Sequence, residues 1–201
     1  MKALSFFVFC MSCFAYASQM MAQDDEYTYT LAAQKDRIAI DGGLIIPFGD
    51  VGKGLGLQTA WGVNLNFWKF ISERSFGVVT VGKAWYTLGT EVQTDSGIQD
   101  LSQYSMSTTP LLGGIGYVFG HDVLHPYVIA HAGVTFVTAY EGKNRPLETI
   151  NNEAYFTLGG TAGLGYSVSE HFTVMASARY MKTFGEDLQT ISILFGVSYR
   201  L

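Results

Sequence analysis

The chain has 201 residues, 48% of them hydrophobic, 14% aromatic and only 14% charged, with 23 glycines. An average soluble domain carries about 25% charged residues, so this composition argues against an ordinary water-facing surface. The formal net charge of -5 and the absence of any Lys/Arg run exclude the electrostatic footprint of a nucleic-acid binder.

In chain order, the first segment is a targeting signal. Met1 and Lys2 precede the apolar run ALSFFVFCMSCFAYA and then small residues, which is the pattern of a secretory signal peptide over 1–22. Cleavage is expected after Ala22, or after Ala17 at an A-x-A site. Both cysteines, Cys10 and Cys13, fall inside this segment, so the mature chain is expected to hold neither a disulfide nor a thiol nucleophile. A polar tail occupies 23–36. No later stretch approaches the 18 or more apolar residues of a membrane helix.

From residue 37 onward, segments of period-two alternation follow one another, separated by turn chemistry. The alternation predicts strands over 37–48, 57–70, 76–90, 104–119, 127–140, 154–168, 172–184 and 188–201, and no helix of convincing length. Ten strands result instead if the long loops extend as hairpins. The connections after the second, fourth and sixth strands are compact: ISERS, GHDVLHP and SEH. Those after the third and fifth, EVQTDSGIQDLSQ and EGKNRPLETINNE, are long and polar. Tight turns at one end and longer loops at the other are the asymmetry of an outer-membrane barrel.

The sixth strand shows which face meets what. Phe156, Leu158, Gly160, Ala162, Leu164 and Tyr166 share one parity, and Thr157, Gly159, Thr161, Gly163 and Gly165 the other. A soluble barrel would present Lys, Glu and Asp to water on its polar parity. Here that parity is mostly Gly, Ser, Thr, Asn and Gln, small neutral residues that suit a crowded lumen. The apolar parity is therefore expected to face lipid. Mid-strand charges Asp41, Lys83 and Arg179 are read as inward, because a Lys or Arg facing lipid at the midplane costs roughly 2–4 kcal/mol. With Asn64, Asn66 and His131 they form an expected polar network in the lumen.

Aromatics gather at two levels. Phe67, Phe76, Phe119, Tyr127, Tyr166, Phe172 and Tyr199 lie near the tight turns, and Phe48, Tyr86, Tyr104, Tyr140, Phe156, Tyr180 and Phe184 near the long loops. Two such rings are what two membrane–water interfaces select.

The last segment, ISILFGVSYRL, puts Ile193, Phe195, Val197, Tyr199 and Leu201 on one parity. A closed barrel needs its last strand paired to its first. This stretch resembles the C-terminal recognition strand of outer-membrane β-barrel proteins, although that family usually ends on Phe where Leu201 stands here. The span 37–201, including GLGYSVSEHFTVMASARY, resembles a small OmpA/OmpX-type barrel. The resemblance implies an all-β fold, a transmembrane antiparallel up-and-down β-barrel of eight strands in a Gram-negative-type cell outer membrane. It also implies a monomer inserted by the barrel-assembly machinery and surrounded by lipid and lipopolysaccharide.

The histidines are the remaining candidates for chemistry. His121 and His125 flank DVL in one tight turn and His171 lies in another, and all three are read as solvated periplasmic residues. A turn lacks the helical spacing that converges two imidazoles on a metal, so no metal site is expected. His131 is read as a hydrogen-bonded lumen residue. Lipid A acyl-hydrolase and acyltransferase barrels carry a His paired with Ser or an acid toward the exterior. The corresponding stretch here, RYMKTFGEDLQ, offers Lys182 and no His. No catalytic residue and no cofactor are expected. An eight-stranded barrel is just wide enough for its own side chains, and with Gln58 and Trp68 also directed inward a plugged lumen follows. The resulting reading is a structural role or one of binding and adhesion, with an extracellular ligand held by the outer loops. A narrow channel or transporter for small solutes is the alternative, and a lipid A-modifying enzyme ranks third.

Overall fold

The computed structural model describes residues 36–49, 57–88, 91–94, 97–100, 104–120, 123–141, 148–185 and 187–201. The expected signal peptide, nearly all of the polar tail and His121 lie outside the described residues. Among the described residues, alternating side chains with β-branched and aromatic character build ten strands: β1 (Arg37–Phe48), β2 (Ala60–Phe70), β3 (Ser75–Thr87), β4 (Glu91–Thr94), β5 (Gly97–Asp100), β6 (Tyr104–Val118), β7 (Leu124–Glu141), β8 (Glu148–Ser167), β9 (Phe172–Thr183) and β10 (Leu188–Arg200).

Eight of them close into an antiparallel barrel in the order β1-β10-β9-β8-β7-β6-β3-β2. The short strands β4 and β5 pair only with each other, so the loop after β3 does extend as a hairpin without enlarging the barrel. Closure is made by β1 and β10, which pair continuously from Arg37↔Arg200 to Phe48↔Gln189. The two strands approach closely at Gly43, where a methyl group would run into the Ile193 carbonyl.

The second long loop is shorter than its composition implied. β7 runs to Glu141 and β8 starts at Glu148, so much of the polar stretch EGKNRPLETINNE is ladder. The register slips between Ala139 and Tyr140 so that Tyr140 faces Thr149, a bulge that lets the hairpin continue. β7 also begins earlier than expected, at Leu124, which draws His125 out of the turn and into the strand.

Residues that a soluble protein would hide are on the outside. Trp61, Val63, Leu65 and Phe67 of β2 are exposed, while Gly62, Asn64, Asn66 and Trp68 are buried. On β10 the exposed set is Ile191, Ile193, Phe195, Val197 and Tyr199, and Leu201 is exposed beyond it. The turn-end ring on the outer surface is Phe67, Tyr166, Phe172 and Tyr199; the loop-end ring is Trp61, Trp85, Phe156, Tyr180 and Phe184. Phe76, Tyr86 and Tyr127 do not belong to these rings. They are buried inside, as is Leu57, whereas Gln58 is exposed.

Candidate functional site

The barrel interior is stratified. Toward the short turns, the Trp68 ring stacks on Phe76 at 4.5 Å and Tyr127 meets it edge-on at 5.2 Å. Ala39, Val78, Val118, Ile129 and Met175 complete this apolar layer. Gly116 opposite Phe76 leaves room for the ring, because a Cβ there would collide with it. Toward the long loops a second apolar layer is formed by Ile45, Leu57, Ala60, Ala84, Tyr86, Met106 and Leu188.

Between the two layers lies a polar belt. Asp41 and Asn64 are register partners on β1 and β2, Asn66 and Thr80 on β2 and β3, and Thr161 and Arg179 on β8 and β9. Antiparallel partners share a face, so the ladder itself brings these side chains together. The Asn64 and Asn66 amides donate to the two oxygens of Asp41 at 2.6 and 2.7 Å. Thr80 donates to the Asn66 carbonyl at 2.7 Å. Arg179 donates to Thr161 Oγ1 at 3.1 Å and places a guanidinium nitrogen 3.8 Å from Asp41. His131 Nε2 stands 2.9 Å from the same Thr161 hydroxyl. A separate ladder of hydroxyls joins Thr135, Thr157 and Thr183 at 2.8 and 3.1 Å.

Chemically, the belt gives its carboxylate and its guanidinium partners within the lumen. Asp41 has both oxygens occupied and an arginine nearby, as a buried carboxylate requires. The Thr161–His131 contact pairs a hydroxyl with an imidazole, which nucleophilic catalysis also needs. Both groups are buried between apolar layers, away from the rim where a substrate would arrive. Among the described residues no group of three or more His, Cys, Asp or Glu side chains is arranged to hold a metal.

The sequence profile of the outer membrane protein beta-barrel domain matches residues 7–200, nearly the whole chain. The chain belongs to this family. No curated protein is a significant match to it. Among solved structures it is similar to Neisserial surface protein A, with a TM-score of 0.58 and 13% identity over 83% of this chain and 97% of that one. It is also similar to Ail, the attachment invasion locus protein of Yersinia pestis, in complex with the heparin analogue sucrose octasulfate. That match has a TM-score of 0.55 and 16% identity, covering 83% of this chain and 98% of Ail. OprG from Pseudomonas aeruginosa gives 0.54 and 14%, over 84% and 97%. At these identities the likeness is one of fold.

Membership places the barrel in the outer membrane of a Gram-negative envelope. Short turns then face the periplasm and long loops the exterior. Besides Gln58, Lys83 and His125 sit elsewhere than the sequence implied. Lys83 is register partner to Val63 and shares its parity with Val81 and Trp85, so it points outward and is not part of the lumen network. The cost of a lipid-facing ammonium is avoided because the long side chain reaches the Tyr140 hydroxyl near the exterior rim, where Ser107 also donates at 3.4 Å. Beside it the β3–β6 ladder is interrupted across Gly82 and Lys83, opposite Thr109 and Pro110, the latter lacking an N–H to donate. His125, read as a solvated turn residue, is buried inside the periplasmic end, 3.5 Å from the Arg37 guanidinium. His171 is exposed in its turn and stacks on Tyr199 at 5.8 Å.

The side chains that sequence reasoning missed are those of β3. Its two parities, Phe76-Val78-Thr80-Gly82-Ala84-Tyr86 and Gly77-Val79-Val81-Lys83-Trp85-Thr87, are almost equally apolar. Only the neighbouring strand resolves them: Trp61 and Trp85 are partners in the loop-end ring.

Proposed function

We propose that this protein is a non-enzymatic outer-membrane barrel whose role is structural or one of binding and adhesion through its exterior loops. The observation that carries this reading is the interior: buried side chains fill the lumen, with an apolar cluster toward each end and a charge-matched belt between them. The narrow-channel alternative would have to breach the Trp68–Phe76–Tyr127 layer, and a lipid A-modifying enzyme would need a base at the rim. Neither finds support in these residues.

The loop sequences constrain the partner. Across the exterior segments 49–59, 88–103, 141–148 and 184–187, Asp50, Glu91, Asp95, Asp100, Glu141, Glu148, Glu186 and Asp187 outnumber Lys53, Lys143 and Arg145. An acidic rim favours a basic or neutral protein surface and repels a polyanion. A sulfated sugar of the kind held by Ail is thus a poor ligand for this chain. Secretion through the 1–22 signal peptide and insertion through the Ile193, Phe195, Val197, Tyr199 and Leu201 strand are part of the same proposal, as is a monomeric state in lipid and lipopolysaccharide.

The test compares cells displaying the protein with cells displaying variants shortened between β7 and β8 or between β3 and β6. Binding is measured to a basic extracellular-matrix-type protein and to heparin. Retention on the basic protein, lost on loop shortening while the barrel stays folded, supports the reading. Heparin binding that survives loop shortening contradicts it.

A further inference from the structure

At the periplasmic end of the barrel, beyond the Trp68–Phe76 layer, two guanidinium groups stand opposite each other. Arg37 and Arg200 are direct register partners across the β1–β10 seam, on the inward parity. Arg37 is buried and Arg200 partly exposed. Like charges directly opposed weaken a strand pair, and a buried charge without a counter-charge is costlier still. The carboxylates at this end are Asp36, Glu73, Glu170 and Asp122, the last outside the described residues, and among the described residues none forms an ion pair with either arginine. Asp36 accepts the Phe70 N–H at 3.2 Å instead.

Arg37 is partly accommodated by the Phe70 ring, 5.4 Å from its guanidinium carbon, and by His125. Nε of Arg37 and Nε of Arg200 are buried and make no hydrogen bond among the described residues. The same holds for Ser198 Oγ, two residues from Arg200 on the same parity, and for Nε1 of Trp68, the register partner of Arg37 on β2. Four donors of one small region thus lack acceptors, and native proteins rarely leave such groups unmet.

We propose that this periplasmic mouth is an anion-binding site, in which one oxyanion group, a carboxylate or a phosphate, bridges Arg37 and Arg200 with Ser198 alongside. Guanidinium forks match such groups with charge-assisted, often bidentate hydrogen bonds. The oxyanion has two available sources. One is the chain itself: Asp24, Asp25 and Glu26 precede Arg37 by 11–13 residues, an extended reach of about 40 Å. The other is a solute or polymer of the periplasm. This site is independent of what the exterior loops bind.

The experiment uses the full chain as isolated from outer membranes, carrying Trp61→Phe and Trp85→Phe so that Trp68 reports alone. Inorganic phosphate is titrated against a chloride control of equal ionic strength while Trp68 emission is followed. A saturable change is expected with phosphate and not with chloride. Arg200→Gln, checked for folding by its gel shift on boiling, is expected to weaken the response about tenfold, the loss of one charge-assisted contact. Arg200→Lys, which keeps the charge without the fork, is expected to restore part of it. A second chain carrying Asp24→Asn, Asp25→Asn and Glu26→Gln separates the sources. Tighter phosphate binding there identifies the chain's own acidic stretch as the occupant, and unchanged binding identifies an external anion. No saturable response in either chain, or a response that Arg200→Gln leaves intact, overturns the proposal.

Discussion

The lumen belt and the periplasmic mouth each bury an arginine, and they treat it in opposite ways. Arg179 has Thr161 as an acceptor and Asp41 3.8 Å away, and Asp41 in turn is held by two amides. Arg37 faces another arginine, an aromatic ring and a histidine. Both regions are built by the same ladder, so the difference lies in which residues the register places opposite one another. A belt whose charges are internally matched is finished as a structure. A mouth whose charges are unmatched is finished only by something brought to it.

That contrast makes unequal predictions. Asp41→Ala leaves Arg179 buried without its counter-charge and is expected to cost about 3–5 kcal/mol, read as a lowered urea midpoint for loss of the boiling-dependent gel shift. Replacing both partners and both amide donors, as Asp41→Leu with Arg179→Met, Asn64→Leu and Asn66→Leu, is expected to recover part of that stability, since a buried network removed whole leaves neither an unpaired charge nor an unmet donor. If this combined variant is as unstable as Asp41→Ala alone, the pairing account of the belt fails.

Next in size is Gly116→Ala, whose methyl group meets the Phe76 ring and disturbs its stack on Trp68. Overpacking of this kind costs roughly 1–3 kcal/mol, and near-ultraviolet circular dichroism of the Trp68 band should change with it. An unchanged band and an unchanged urea midpoint would show the apolar layer to be looser than its geometry.

The smallest effect is expected at the mouth. Arg37→Met removes a buried charge that faces a like charge and keeps much of the packing volume, so stability in low-salt, anion-free buffer is expected to rise, by about 1 kcal/mol, rather than fall. A loss as large as that of Asp41→Ala would mean that Arg37 already has a partner within the chain, and the comparison between the two regions would collapse.

Much of this architecture was legible in the alternation itself. β2, β8 and β10 carry a clean apolar parity, and for them the lipid face, the lumen face and the closing strand follow from counting by twos. The lumen positions of Asp41, Asn64, Asn66, His131 and Arg179 came from the same count. β3 was not legible, because both of its faces are apolar and its one charge, Lys83, escapes the midplane through its own length toward Tyr140. His125 was misread because Pro126 looks like turn chemistry, yet proline is tolerated near the start of a strand, and β7 begins two residues before it. The hairpin of β7 and β8 was hidden by polar residues above the membrane, where period-two contrast disappears. The unmatched arginines could not be seen at all, since Arg37 and Arg200 are 163 positions apart and meet only once the barrel closes.

The central claim is that this barrel is closed to solutes along its axis, and conductance in planar lipid bilayers tests it most directly. With the full chain reconstituted and its folding confirmed by the gel shift, no discrete single-channel steps are expected at any voltage the bilayer tolerates. Reproducible steps of one size that appear with the folded protein and vanish with the boiled one would contradict the account, and would require a path through the Trp68–Phe76–Tyr127 layer.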